Sequence, residues 1–183
     1  HGFSGLNSGL LNAFSIIIPE KFQIEIYDVF KVKEPYAVNC IYQSFIQSIV
    51  WRKSDSLTIA SWNYVKKFIN SDEQDLRDFF NTIFLVAANP SHCFNADFIH
   101  SILNKMQIAE RDYAWSINID KMFKWDSANA IKRIIEWSWS DECKDHINDN
   151  SVVLLGKLLS WFFTNSNRYI RDKSTKAFAS LFI

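Results

Sequence analysis

The last 33 residues constrain the fold more than any other stretch of the chain. Residues 151–183 are predicted to form two helices around one polar turn. The first helix, Val152–Phe163, is apolar almost all round, which is typical of a helix buried on most sides. Asn167, at the end of the polar turn, is a suitable N-cap for the second helix. The second helix carries a stripe at helical spacing: Ile170, Ser174, Ala177, Phe178 and Leu181.

A hairpin with one fully apolar helix has to pack against further helices on both sides. We therefore predict an all-α fold of the HEAT-like α-solenoid kind, in which antiparallel helical hairpins stack on one another. The chain has only 3 prolines and 4 glycines in 183 residues, and so few helix breakers favour long helices over many-turned β structure.

Composition limits the class of protein. Lys+Arg and Asp+Glu are both 20, so no basic field supports nucleic-acid binding, and we expect no such partner. No apolar run approaches the roughly 18 residues of a membrane span, and no signal peptide is visible. The 3 scattered cysteines, Cys40, Cys93 and Cys143, fit reduced thiols, so we predict a cytoplasmic protein without membrane contact.

The two ends suggest a fragment. The chain begins with His1-Gly2 without a methionine and stops inside an apolar pattern at Leu181-Phe182-Ile183. We therefore expect a piece of a longer polypeptide. Residues 1–35 form a loosely defined N-terminal segment, and residues 36–183 are predicted to be the helical-repeat domain.

Apolar periodicity predicts most helices. Before residue 35 we predict a weak helix over Phe3–Phe14 and a break at Pro19; residues 22–30 fit either a strand or a helix, and helix is favoured.

Arg52 is assigned to the basic C-terminal end of a helix begun by Pro35. Ser71 and Gln74 form a predicted capping box, and Asp126 or Ser127 is the predicted N-cap of a later helix. The remaining predicted segments are Pro35–Trp51, Thr58–Asn70, Leu76–Ala87, Asn95–Met106, residues 108–124, Ala130–Trp139, and an acidic linker at Asp141–Asp149.

No catalytic constellation is present, and we predict no catalytic, cofactor-binding or metal-binding residue. The best candidate for a zinc set is His92, Cys93, Cys143 and His146, but neither half has the usual paired-ligand spacing. The simpler interpretation is a histidine in a loop, a half-buried cysteine and a solvated acidic segment. Gly156-Lys157 lacks the upstream glycine and the following Ser/Thr of a phosphate loop.

Five charged residues are predicted to have a structural role: Arg111, Asp112, Arg168, Arg171 and Asp172. An aspartate in a first helical turn meets the helix dipole favourably, and a neighbouring arginine can fork to a carboxylate on the adjacent helix. Asp172 and Lys176 are also spaced for an i,i+4 ion pair. Replacing Arg171 or Asp172 by alanine is predicted to cost roughly 1–3 kcal/mol.

Trp137 and Trp139 form the predicted partner surface. Two rings at i and i+2 cannot share one helix face, so we expect one of them to be partly exposed. Exposed tryptophan is frequent where protein partners bind.

Two stretches resemble a known family. HCFNADFIHSILNKMQIAERDYAWSI, from His92, and LLSWFFTNSNRYIRDKSTKAF, from Leu158, are similar to a region of large bacterial STAND (NACHT-like) NTPases, which include the AVAST-type antiviral sensors. The resemblance spans roughly Tyr36 to Leu181. It departs from the family pattern at Phe163 and at Lys173-Ser174.

The resemblance implies a helical segment downstream of an ATPase module. The segment would be a non-catalytic scaffold or sensor with no cofactor of its own, while the full-length parent would be an ATPase with a separate effector. The implied partners are the rest of its polypeptide, a phage protein, and other copies of the full-length protein. The alternative function is a general α-solenoid adaptor that binds proteins without any link to defence.

Overall fold

The computed structural model describes residues 8–31, 33–69, 73–125, 129–140 and 146–182. Within these ranges every regular element is a helix, which confirms the predicted all-α class. None of these helices is both long enough and apolar enough to cross a membrane. The chain divides into two compact units, and the division falls after Asp72. The sequence pattern predicted a boundary between segments after residue 35.

Among its described residues, the N-terminal unit contains four α-helices. Its core is aromatic: Tyr27 stacks on Tyr64 with ring centroids 3.7 Å apart, and Phe45 meets both rings edge-on. Helices α1 and α2 both pack against α3. The bounds are α1 Ser8–Phe22, α2 Ile26–Val29, α3 Pro35–Ser48, a 3-10 turn Ser54–Ser56, and α4 Ile59–Ile69.

The predicted break at Pro19 is wrong, because α1 continues through it to Phe22. Pro19 is buried and lies in the last turn, so apolar packing offsets the single lost backbone hydrogen bond. The helix stops at Gln23, whose φ of 55° is left-handed. The Gln23 amide donates to the Pro19 carbonyl at 3.0 Å, which closes the helix end. Residues 3–7 of the predicted first helix lie outside the described ranges.

Pro35 begins α3, as predicted, and the Glu34 side chain accepts hydrogen bonds from the first two free amides, those of Tyr36 and Ala37. The helix ends earlier than expected, at Ser48. Arg52 therefore has no role at a helix terminus, and its guanidinium is buried in an ion pair with Glu25 instead. Residues 22–30, left open between strand and helix, contain helix α2.

In the part of the C-terminal unit that the structure describes, there are seven α-helices and one π-helical turn. Its core lies between α5, α9, α10 and the π turn, where Phe84, Trp115 and Phe162 are buried in mutual ring contact. The bounds are α5 Glu73–Val86, α6 Ala96–Leu103, α7 Ile108–Arg111, the π turn Asp112–Ile117, α8 Asn118–Trp125, α9 Ala130–Trp139, α10 Asp149–Phe162 and α11 Arg168–Leu181.

The helical hairpin predicted for residues 151–183 is confirmed. Helices α10 and α11 pack together, and the Asn167 side chain caps α11 by accepting from the Tyr169 amide. Ile170, Ser174 and Ala177 of the predicted stripe are buried. Helix α6, in the predicted segment Asn95–Met106, is capped in the same way by the Asn95 side chain, which accepts from the amides of Asp97 and Phe98.

One predicted cap is wrong. Helix α9 is capped by Asn129 and not by Asp126 or Ser127, which lie outside the described ranges. Asn129 is buried and has a second role, because its amide also donates to the Met122 carbonyl at 2.7 Å. The predicted Ser71 capping box and residues 141–145 of the acidic linker fall outside the described part of the chain.

Candidate functional site

A widened turn interrupts the helix that runs from Ile108 to Trp125. Residues Asp112–Ile117 adopt π-helical hydrogen bonding, a feature that is frequent at functional sites in proteins. Trp115 anchors this turn in the core, where it stacks on Phe162 with centroids 5.7 Å apart. The sequence predicted a helix here but contained no signal for the extra residue in the turn.

The π turn is hydrogen-bonded to the last turn of α10 and to the loop between α10 and α11. The Trp115 indole N–H donates to the Trp161 carbonyl at 3.0 Å, and the Asn165 amide donates to the Ser116 carbonyl at 3.1 Å. Both bonds are buried. We call these residues, Trp115, Ser116, Trp161 and Asn165, the motif junction. Each of its two bonds satisfies a backbone carbonyl, so the side chains fix the position of two backbone segments.

Two further contacts extend the motif junction. The Asn167 amide donates to the Asp120 carboxylate, which also pairs with Lys124 at 2.7 Å. Partial burial opposes ionisation of Asp120, but the hydrogen bonds from Lys124 and Asn167 outweigh it and leave the pKa of the carboxyl below its ordinary value. Trp161 donates its own indole N–H to His100 Nδ1 at 3.2 Å.

Arg111 and Asp112 lie where α7 passes into the π turn. The Arg111 guanidinium carbon is 5.5 Å from the centre of the Trp161 ring, so this arginine packs on an aromatic face and not in the predicted fork with a carboxylate. Its Nε is buried without a hydrogen-bond partner. Asp112 is exposed and lines a groove beside the motif junction.

That groove has a volume of about 390 Å³ and is open to solvent. Its two walls are the π turn with the end of α7 and the loop that follows α10, two segments that the motif junction holds together. The lining residues are Ala109, Asp112, Tyr113, Ser116, Ile117, Thr164 and Ser166.

Arg171 supports the α10–α11 loop in a way that the sequence did not predict. Its Nη1 donates to the carbonyls of Asn165 and Ser166, both at 2.8 Å, and not to a carboxylate on another helix. Asp172 does not form the predicted pair with Lys176. It pairs with Arg168 one turn earlier, at 3.4 Å, and both side chains are largely exposed.

The two predicted partner tryptophans face different neighbours, as their spacing indicated. Trp137 is half-buried and lines an apolar groove of about 440 Å³ between α5, α9 and α10. Trp139 is 41% exposed, and two lysines of α11 lie over its ring.

The residues considered for chemistry are used structurally. His92 is buried, and its Nδ1 accepts from the Phe94 amide at 3.1 Å. Gly156 is buried in α10 against Phe182, and Lys157 pairs with Asp97. Among the described residues, no group of three or more His, Cys, Asp or Glu side chains is placed to hold a metal ion; Cys143 of the zinc set lies outside them.

Sequence reasoning missed the roles of Trp115, Trp161 and Asn165. Asn165 lies in the TNSN string that carries the resemblance, so the string marked the position without revealing its hydrogen-bond partner. No family model, curated protein or solved structure matches the chain.

Proposed function

We propose that this chain is a non-catalytic scaffold or sensor segment of a STAND-type antiphage defence NTPase from a bacterium, in which it mediates protein–protein contacts. The observation that supports this proposal is the motif junction. Trp115 and Trp161 belong to the two segments that resemble the NTPase family. They are 46 residues apart in the sequence, yet a hydrogen bond joins them in the core. Motif residues that hold backbone segments together fit a scaffold better than a reaction centre.

The same proposal includes a HEAT-like stack of antiparallel hairpins and a cytoplasmic location. The close packing of α10 on α11, and of α11 on α9, supports the stacked arrangement. In this proposal the parent's ATPase module and effector lie elsewhere in the polypeptide, and the segment carries no cofactor.

A capture experiment tests the proposal. The full-length parent, with or without residues 36–183, is expressed together with phage structural proteins and recovered by affinity. Loss of one phage protein upon deletion, with the remainder folded and able to bind ATP, identifies a sensor. Retained capture with failed ATP-driven assembly identifies a scaffold that transmits the signal. If deletion changes neither capture nor assembly, the proposal is wrong.

A finer test uses the motif junction itself. Asn165→Ala removes the bond to the Ser116 carbonyl, and Thr175→Ala is a control because its hydroxyl, on exposed α11 surface, bonds only the Arg171 carbonyl one turn earlier. If the junction positions the recognition surface, Asn165→Ala reduces capture or assembly and Thr175→Ala does not. A general adaptor without a defence role is the alternative, and a parent chain with no ATPase module would favour it.

A further inference from the structure

Two lysines of α11 converge on one exposed aromatic ring of α9. The Lys173 ammonium lies 4.3 Å from the centre of the Trp139 ring, and the Lys176 ammonium lies 5.5 Å from it. We call these three residues the basic clamp. Two like charges held near one ring repel each other, so an anion placed between them would relieve that repulsion.

No carboxylate neutralises the basic clamp within the described part of the chain. Asp172, spaced correctly for Lys176, is paired with Arg168 instead. Neither lysine forms an ion pair with any described residue. The sequence had assigned Lys176 a partner that the folded chain gives to another residue.

Apolar surface adjoins the basic clamp. Tyr169, one turn before Lys173 on α11, is 55% exposed, and the Lys173 ammonium lies 5.6 Å from its ring centre. Tyr169 in turn contacts Phe123 of α8, with centroids 5.6 Å apart. A ligand that reached both lysines would therefore also meet exposed aromatic faces.

We propose that the basic clamp, with Tyr169 beside it, binds an acidic peptide segment of a partner protein that carries neighbouring carboxylates. Charge complementarity selects an anionic ligand, and the small number of cations selects a peptide over a nucleic acid. Specific nucleic-acid binding draws on about 6–10 phosphate contacts, whereas this surface offers two unpaired ammonium groups. The proposal extends the protein-binding role given above but rests on the geometry of this surface alone, so its failure would leave the scaffold proposal standing.

Fluorescence anisotropy with a fluorescein-labelled deca-glutamate peptide tests the proposal. The test variant is Lys173→Gln with Lys176→Gln, which removes both charges and keeps most of each side chain. The matched control is Lys66→Gln with Lys67→Gln. This control removes the same net charge from α4, where Lys66 lies over Trp62 at 5.4 Å. Circular dichroism checks that both variants remain helical.

We expect the clamp variant to bind the peptide about tenfold or more weakly, as the loss of two charge-assisted hydrogen bonds implies, while the control pair binds normally. Equal weakening in both variants would show unspecific attraction and overturn the proposal. No binding by the wild-type protein up to about 1 mM peptide would also overturn it. A fluorescein-labelled ten-nucleotide oligothymidine is run in parallel. Tighter, clamp-dependent binding of that probe would replace the acidic peptide by single-stranded nucleic acid.

Discussion

Arg52 forms a buried, two-pronged salt bridge with Glu25, with Nη1 to Oε2 at 2.8 Å and Nη2 to Oε1 at 2.9 Å. The two residues are only 3% and 7% exposed. Ser61 adds a third hydrogen bond to the same carboxylate at 2.6 Å. This contact ties the start of α2 to the segment after α3 and to the start of α4.

Removing one partner of this pair should be costly. We expect Arg52→Met to lower the free energy of unfolding by about 3–5 kcal/mol, because Glu25 is left buried without its counter-charge. Urea unfolding followed by circular dichroism measures the change. The double variant Arg52→Met with Glu25→Leu should lose less than Arg52→Met alone, since no uncompensated charge remains. A double variant that loses the sum of both single changes would contradict this account.

We predict that Tyr27 and Tyr64 set the pH at which the folded protein unfolds in alkali. Burial, followed by the negative charge of Glu25, raises the pKa of both phenols well above the ordinary value of 10.0. The pKa of each phenol is higher in the folded protein than in the unfolded chain. This contribution to stability is therefore complete below pH 10, and it is lost as the pH rises through the folded pKa. We expect these two rings to ionise only together with the loss of helical structure.

Absorbance at the tyrosinate band, recorded beside far-ultraviolet circular dichroism, measures this coupling. Tyr64→Phe should shift alkaline unfolding to higher pH, since one of the two groups that must ionise is gone. Tyr113→Phe, at an exposed position, is the control and should leave the transition where it was. Ionisation of all 6 tyrosines before any loss of helix would refute the prediction.

Arg171 and Asp172 were predicted to matter equally, and the structure separates them. Arg171→Ala should cost about 1–3 kcal/mol, because two carbonyls of the α10–α11 loop lose their charged donor. Asp172→Ala should cost less than about 0.5 kcal/mol, because the pair with Arg168 is 59% and 86% exposed at its side chains. Thermal unfolding of the two variants decides the matter, and equal losses would restore the sequence-based expectation.

Local signals in the sequence were sufficient for the helices and several of their caps. The apolar residues of α10 form a local pattern along the chain, and the side chains of Asn95 and Asn167 cap their helices within one turn of their own position. The errors lie where a distant partner decides the outcome. Asn129 replaces the predicted cap because it also bonds Met122, and Pro19 stays helical because it is buried. The motif junction could not be predicted, since sequence spacing does not show that Asn165 faces Ser116.

Gly156 provides a test of how tightly α11 packs on α10. A Cβ built on Gly156 would approach the tip of the Phe182 ring to 2.9 Å and the Phe178 ring to 3.3 Å. Alanine is favoured over glycine in a helix by about 1 kcal/mol, while the ring has to move to make room. Because Phe182 is 54% exposed, it can swing outward, so we expect Gly156→Ala to change stability by less than about 1 kcal/mol.

Combining this change with Phe182→Ala separates the two effects. Without the ring, Gly156→Ala should stabilise the protein by nearly the full helix-propensity difference of about 1 kcal/mol. A bulkier replacement, Gly156→Leu, has to displace both rings and should cost about 1–3 kcal/mol or more in the wild-type background. Chemical unfolding of the four proteins of the glycine–phenylalanine cycle gives the coupling energy directly. A coupling near zero would mean that the Phe182 ring does not rest on Gly156 in solution, and that the end of α11 is held by its buried stripe alone.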